Sequence, residues 1–324
     1  MLSPAPKLQE WLKHFYAGME VLKQRGFKLT PENAREGLFN LTASLVVDKP
    51  DISLVVDVDA NGQNSSVPLR VYHPAPNEPL PVLIYYHGGG HMAGSIKIYD
   101  PICRKMALAT DHIVVAVEYR LTPEFPYPAG VDDSYYVAKN IWSTLEGLSS
   151  FHKFKYLETL SLAGDSAGGA LAATLSHLAQ HDKEIKISKQ ALIYPSLDYT
   201  MSCPSFDENG VGYMLEKEKI EWYFEQYFQD FEGGKDIQSS EKRKSASPLF
   251  MEITPNMPDT LVVSAQFCPL RDEGFEYVKR LKQAGIYAEN LHFDNMIHAF
   301  LNMEILVPDE CKRVYEKIGN FLNG

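Results

Sequence analysis

Apolar residues at helical spacing mark the first part of the chain. Over residues 7–25 they recur every three or four positions, and Gly26 follows them as a stop signal. This pattern predicts an amphipathic helix. A second helix is predicted to begin just after Thr30, whose side chain can cap the helix N-terminus, with Pro31 as its first residue.

Beyond residue 50 the pattern changes to short apolar runs that are typical of strands. Residues 52–58 and 67–72 flank the turn signal Asn61-Gly62, which predicts an antiparallel hairpin at a sheet edge. Further apolar runs predict buried strands at 82–86, 113–117, 160–163, 192–194 and 261–265, and helical segments lie near 98–110, 129–145, 274–284 and 308–322. Strands that alternate with helices predict an α/β fold with a mostly parallel central sheet and helices on both faces.

The stretch from about 204 to 248 interrupts this alternation. It contains an aromatic-rich segment at 222–228, between stretches that are mainly polar. We expect it to pack with the N-terminal helices as a helical cap, with its aromatic rings in the cap core rather than at a cofactor. The predicted organisation is therefore N-terminal cap helices at 1–48 and one catalytic domain at 49–324, which carries the cap insertion at about 204–248.

Composition and charge exclude several classes of partner. The net charge of −11 at pH 7 argues against nucleic acid, because phosphate contacts need clustered Lys and Arg. No signal peptide is visible, and no apolar run is long enough for stable membrane insertion. The four cysteines lack C-x-x-C spacing, so we expect reduced thiols of a cytoplasmic protein. Neither a metal nor an organic cofactor is implied.

The segment Gly164-Asp165-Ser166-Ala167-Gly168 carries the strongest chemical signal. It fits the G-x-S-x-G nucleophile elbow, in which a serine occupies a sharp turn between a strand and a helix. An apolar run precedes it, and an Ala- and Leu-rich helical stretch follows to about residue 180. Small residues on both sides of the serine let strand and helix approach closely. We therefore predict that Ser166 is a nucleophile.

Two further segments fit the same chemistry. His87-Gly88-Gly89-Gly90 follows the predicted strand at 82–86, and three consecutive glycines let backbone N–H groups approach a developing oxyanion. His298 follows the strand-like segment 288–293 and is the candidate general base. The order serine, acid, histidine along the chain is the order found in α/β-hydrolases.

With these motifs the chain resembles the hormone-sensitive-lipase-like family of α/β-hydrolase esterases, bacterial branch, over nearly its whole length. The matching motifs are His87-Gly88-Gly89-Gly90, Gly164–Gly169 and His298-Ala299-Phe300, with supporting segments at 119–124, 128–133 and 247–249. The resemblance implies an α/β-hydrolase fold, with Ser166 as nucleophile and His298 as base. It further implies oxyanion donors at the amides of Gly88, Gly89 and Ala167, and a homodimer formed through the last strand and helix.

One position departs from the family pattern. After the predicted strand at 261–265 the family has Asp-Pro-Leu-Arg-Asp-Glu-Gly, with the first aspartate as triad acid. Here Cys268 occupies the place of that aspartate, thirty residues before His298. Three explanations are open: the cysteine leaves a folded, nearly silent esterase, Asp272 turns towards His298 as a weak substitute acid, or the thiol ionises beside the imidazole. We favour the first, because loss of the acid from a well-studied triad lowers kcat by about 10⁴-fold.

The function predicted from these residues is that of a serine carboxylesterase. It would hydrolyse short-to-medium acyl esters, as small-molecule substrates, through an acyl-enzyme, at a rate reduced by Cys268. Two alternatives share the fold. One is a ligand-binding pseudoenzyme, as in plant gibberellin receptors, and the other is an amidase or deacetylase, which would use every residue named above.

Overall fold

The computed structural model of the chain describes residues 2–61, 66–229 and 240–324. In these residues the strands are β1 (Leu54–Asn61), β2 (Ser66–His73), β3 (Leu80–Tyr86), β4 (Ile113–Val117), β5 (Tyr156–Asp165), β6 (Ile187–Ile193), β7 (Asp259–Phe267) and β8 (Ala288–Ile297). The helices are α1 (Pro6–Gln24), α2 (Pro31–Leu45), α3 (Ile96–Thr110), α4 (Ala129–His152), α5 (Ala167–Ala179), α6 (Ser205–Glu208), α7 (Lys217–Phe228), α8 (Glu241–Ala246), α9 (Arg271–Gln283) and α10 (Pro308–Asn323).

The described strands form one sheet with the order β1-β2-β4-β3-β5-β6-β7-β8. Strand β2 is antiparallel to both β1 and β4, and the remaining neighbours are parallel. The mostly parallel α/β sheet predicted from the sequence is therefore confirmed. The edge hairpin is also confirmed, with a register that runs from Leu54 opposite His73 to Asn61 opposite Ser66. Gly62 of the predicted turn lies outside the described residues.

Both faces of the sheet are covered by helices. Strand β3 shows this most clearly, because successive strand residues point to opposite faces. Leu83 and Tyr85 belong to a buried cluster that also includes residues of α3 and α10. Val82, Ile84 and Tyr86 belong to a second cluster, with residues of α4 and α9. This burial on both faces explains why the central strands read as continuous apolar runs.

The N-terminal helices also match their prediction. Helix α2 begins at Pro31, and the Thr30 hydroxyl accepts a hydrogen bond from the Asn33 N–H at 3.2 Å, as expected of an N-cap. Helices α6, α7 and α8 lie within the segment predicted as a cap insertion, of which residues 230–239 are outside the described ranges. The division into cap and catalytic domain stays a prediction. No helix in the described parts of the chain is long and apolar enough to cross a membrane.

The parallel strands bring four predicted site segments to one edge of the sheet. Strand β3 leads into the glycine loop that begins at His87, and β5 leads into Ser166. Strand β7 leads into Cys268, and β8 leads into His298. Because the carboxyl ends of parallel strands share one edge, the topology itself gathers these segments, which are distant in sequence.

Candidate active site

Ser166 occupies a strained turn between β5 and α5. Its φ is 54°, a left-handed conformation that costs free energy for a residue with a Cβ. The Ser166 N–H donates to the Ile193 carbonyl at 2.8 Å, and the Ser196 N–H donates to the Ser166 carbonyl at 3.1 Å, so the turn is held from two sides. Glycine is needed at Gly168, because a Cβ there would lie 1.9 Å from the carbonyl oxygen of Tyr86.

His298 lies beside this serine. Its Nε2 atom is 2.9 Å from the Oγ atom of Ser166. The ring is buried, and it packs edge-on against Tyr194 at a centroid distance of 4.9 Å. Burial is the larger cause that lowers the pKa of His298 to about 3, and the nearby Lys219 ammonium is the smaller one. The imidazole is therefore neutral at ordinary pH and can accept a proton from the serine hydroxyl.

Cys268 lies at the other nitrogen of this imidazole. Its Sγ atom is 3.2 Å from Nδ1 of His298, and the side chain is fully buried. The Leu270 N–H donates a hydrogen bond to the same sulfur at 3.3 Å. Burial raises the pKa of the Cys268 thiol far above its ordinary value. This shift argues against the explanation in which the thiol ionises beside the imidazole, and that explanation stays an untested prediction.

A neutral thiol holds an imidazole less strictly than a carboxylate does. A carboxylate only accepts hydrogen bonds, so it requires the proton to be on Nδ1 and leaves Nε2 free to take the serine proton. The S–H group of Cys268 can also donate to Nδ1 of His298, which moves the ring proton to Nε2, the wrong nitrogen for base catalysis. The thiol also supplies no negative charge to stabilise the imidazolium.

Asp272 is held away from the histidine by other partners. Its Oδ1 atom accepts a hydrogen bond from Nε of Arg271 at 2.7 Å, and its Oδ2 atom accepts one from the Ser205 N–H at 3.0 Å. The second of these contacts joins the first turn of α9 to the start of α6. Within the described residues the structure does not bring Asp272 to His298, so the site lacks a carboxylate at Nδ1.

The geometry of the glycine loop contradicts one of the predicted oxyanion donors. The N–H of Gly88 donates to Oδ1 of Asp165 at 2.8 Å, so this amide is already engaged, and the expectation that it serves as an oxyanion donor is wrong. Gly89, Gly90 and Ala167 line the same cavity as Ser166, and in the described chain their N–H groups have no hydrogen-bond partner. Gly90, the third glycine of the run, is therefore a candidate oxyanion donor in place of Gly88.

The engagement of Gly88 depends on Asp165, a residue to which the sequence analysis gave no role. The buried Asp165 carboxylate accepts hydrogen bonds from the Tyr85 hydroxyl at 3.0 Å and the Tyr99 hydroxyl at 2.9 Å, besides the Gly88 N–H. Burial raises the pKa of Asp165 to about 6, against the opposing effect of these donors. The sequence signal that could have pointed to Asp165 is its position immediately before the predicted nucleophile. The carboxylate ties the glycine loop to the elbow.

A large cavity opens over these reacting groups. Its volume is about 1050 Å³, and Ser166 and His298 lie in its wall together with side chains of α1, α2 and α7. Most of these side chains are aromatic or aliphatic: Trp11, Phe15, Met19, Leu38, Leu41, Leu215, Trp222, Tyr223 and Phe224. An apolar wall beside a few convergent polar groups is typical of a small-molecule site.

This sheet and its strand-to-helix serine turn define an α/β-hydrolase. The chain belongs to the alpha/beta hydrolase fold family, which matches residues 83–302. The match confirms the resemblance drawn from the sequence motifs.

Named relatives and solved structures agree with this family. The chain is 33% identical over 253 residues to the carboxylic ester hydrolase LipN of Mycobacterium tuberculosis, a match that covers 77% of this chain and 65% of LipN. It is 27% identical to the ethyl acetate hydrolase of Pseudomonas putida, over 95% of both chains. The solved esterase of the archaeon Pyrobaculum calidifontis superimposes with a TM-score of 0.84 at 31% identity, over 99% of this chain and 98% of that one.

Proposed function

We propose that the chain is a serine carboxylic ester hydrolase. The observation that carries the proposal is the 2.9 Å contact between Oγ of Ser166 and Nε2 of His298, beside backbone amides that have no hydrogen-bond partner among the described residues. The relatives named as a carboxylic ester hydrolase, an ethyl acetate hydrolase and an esterase support the same reaction class.

The reaction follows from the positions of these groups. Oγ of Ser166 attacks the ester carbonyl while its proton passes to Nε2 of His298. The amides of Gly89, Gly90 and Ala167 donate to the oxyanion of the tetrahedral intermediate. Collapse of the intermediate expels the alcohol, which takes the proton from the imidazolium. Water then attacks the acyl-enzyme with His298 again as base, and Ser166 is released with the carboxylic acid.

The neutral thiol of Cys268 limits the rate of this reaction. Without an anion at Nδ1, the imidazolium of His298 is less stable and the productive tautomer is not enforced. In a comparable triad the loss of the acid lowers kcat by about 10⁴-fold, which corresponds to on the order of 5 kcal/mol of barrier. The hydrolase proposed here is therefore slow, with residual catalysis from the amides and from substrate binding.

The cavity supports small apolar esters as substrates. Its aromatic and aliphatic wall offers burial to a short or medium acyl chain, which gains roughly 0.8 kcal/mol for each buried CH₂ group. Helices α1, α2 and α7 all contribute to this wall. We therefore propose that residues 1–48 and about 204–248 act together as the substrate-binding cap. A cytoplasmic location and a homodimer stay predictions.

Hydrolysis of a series of p-nitrophenyl esters, from acetate to decanoate, tests the proposal. The chain is expected to release nitrophenol from the short and medium esters slowly but measurably. Ser166→Ala should abolish this release, because no nucleophile then faces the imidazole. Equal rates in the chain and in Ser166→Ala would contradict the proposal.

A further inference from the structure

Lys219 places a positive charge in the wall of the substrate cavity. It lies in α7 and lines the same cavity as Ser166 and His298. Its Nζ atom is 5.8 Å from the centroid of the Tyr223 ring. That ring packs on the oxyanion loop, since a Cβ added at Gly90 would lie 2.8 Å from it. One aromatic ring therefore connects the ammonium group to the loop that would hold the oxyanion.

The other charged side chains in the wall of the cavity either accept hydrogen bonds within the protein or are exposed to solvent. Glu216 accepts a hydrogen bond from the Tyr16 hydroxyl at 2.8 Å and another from the Gly212 N–H at 3.4 Å. Asp165 accepts hydrogen bonds from the three donors described above. The remaining charged side chains of the wall are exposed to solvent: Lys23, Glu36 and Glu218.

Lys219 differs from all of these. It is half-buried, and in the part of the chain that the structure describes its ammonium group has neither an ion pair nor a hydrogen bond. Its charge acts on the catalytic groups: the ammonium group is the second cause, smaller than burial, of the lowered pKa of His298. A half-buried cation without a carboxylate partner favours an anion that enters the cavity with the substrate.

We propose that Lys219 binds a carboxylate carried by the substrate, so that the preferred esters are half-esters of aliphatic dicarboxylic acids. This inference rests on the proposed ester hydrolase function. The methylene chain of such a substrate would lie along the apolar wall, with its ester carbonyl at Ser166 and its free carboxylate at the ammonium group. A carboxylate suits this position because the lysine supplies a compact point charge with three donors.

A substrate pair that differs only in charge tests the proposal. Monoethyl adipate carries a carboxylate, and its amide analogue, ethyl adipamate, has nearly the same shape without the charge. The kcat/KM of each is measured by pH-stat titration, and their ratio is compared between variants. Lys219→Met should lower the ratio by about tenfold, the loss expected for one charge-assisted hydrogen bond. Lys219→Arg should retain it.

The matched control is Lys217→Met, on the same helix. Lys217 pairs with Asp207 at 2.5 Å and does not line the cavity, so its loss should leave the ratio unchanged. A ratio in Lys219→Met equal to that of the parent chain would overturn the inference.

The failure of this inference and the failure of the proposed function have different signatures. If the parent chain hydrolyses the neutral ester and the ratio does not depend on Lys219, only the inference fails. If the chain hydrolyses neither ester, the proposed function fails for the chain as it stands. The same ratio is then measured in Cys268→Asp, with and without Lys219→Met, and that comparison decides the role of Lys219.

Discussion

The Sγ atom of Cys268 lies 3.2 Å from Nδ1 of His298, at the ring nitrogen opposite the one that faces Ser166. The three side chains thus have the spatial order of a hydrolase triad, with a buried neutral thiol in the position of the acid. The proposed serine and base are in hydrogen-bond contact, whereas the charge that would orient the base and stabilise its protonated form is missing.

Cys268→Asp is expected to raise kcat for p-nitrophenyl butyrate by about 10²- to 10⁴-fold. The carboxylate would fix the proton of His298 on Nδ1 and stabilise the imidazolium. The matched control is Cys268→Asn, which has nearly the shape of aspartate but no charge, and it should show no comparable gain. A correctly folded Cys268→Asp protein with the rate of the parent chain would mean that the acid does not limit this site.

The pH dependence of kcat/KM provides an independent check on the environment of His298. Burial lowers the pKa of its imidazole from 6.5 to about 3. Activity is lost when the base becomes protonated, so the acid limb of the profile should lie well below pH 6.5 in the parent chain. In Cys268→Asp the new carboxylate favours the protonated ring, and the limb should move to higher pH. An acid limb at the ordinary histidine value in the parent chain would contradict a buried imidazole without a carboxylate partner.

Because of Asp165, the free energy of unfolding of the chain should decrease as the pH rises. Its pKa is raised from 3.8 to about 6 by burial, so folding favours its protonated form. Its contribution is therefore complete below about pH 4 and is lost as the pH rises through about 6. Relative to Asp165→Asn, the free energy of unfolding of the parent chain should decline by on the order of 3 kcal/mol across this interval. Urea unfolding of both proteins at several pH values measures the difference, and parallel curves would contradict the shifted pKa.

A crystal structure of a phosphonate adduct at Ser166 would identify the oxyanion donors. We expect the phosphoryl oxygen within hydrogen-bond distance of the N–H groups of Gly89, Gly90 and Ala167. The N–H of Gly88 should remain on the Asp165 carboxylate. A phosphoryl oxygen bound to the Gly88 amide instead would restore the assignment first made from the sequence.

The regular elements could be predicted because their signals are local. Ile113–Val117 is a continuous apolar run and forms β4 without any change of bounds. Thr30 and Pro31 carry the two signals of a helix start within adjacent positions. Helix ends were less clear: α4 continues to His152, beyond the predicted 145, and ends at Lys153, a non-glycine residue in the left-handed conformation that gives no stop signal in the sequence.

The site was predictable where its motifs are contiguous and failed where partners are distant in sequence. The elbow around Ser166 and the glycine run can each be recognised within a few residues. The Gly88 N–H donates its hydrogen bond to Asp165, 77 positions away, and only the pairing of β3 with β5 brings the two residues together. The raised pKa of the Cys268 thiol likewise depends on burial by surrounding elements, which no local pattern encodes.

The most direct measurement is the rate at which a fluorophosphonate labels the chain, read by intact mass and located by peptide mapping. If Ser166 and His298 form a working nucleophile and base, one adduct forms at Ser166, its rate falls strongly in His298→Ala, and it rises in Cys268→Asp. If Ser166 is not labelled, or is labelled at the same rate in His298→Ala, the two side chains do not act together and the hydrolase proposal is contradicted.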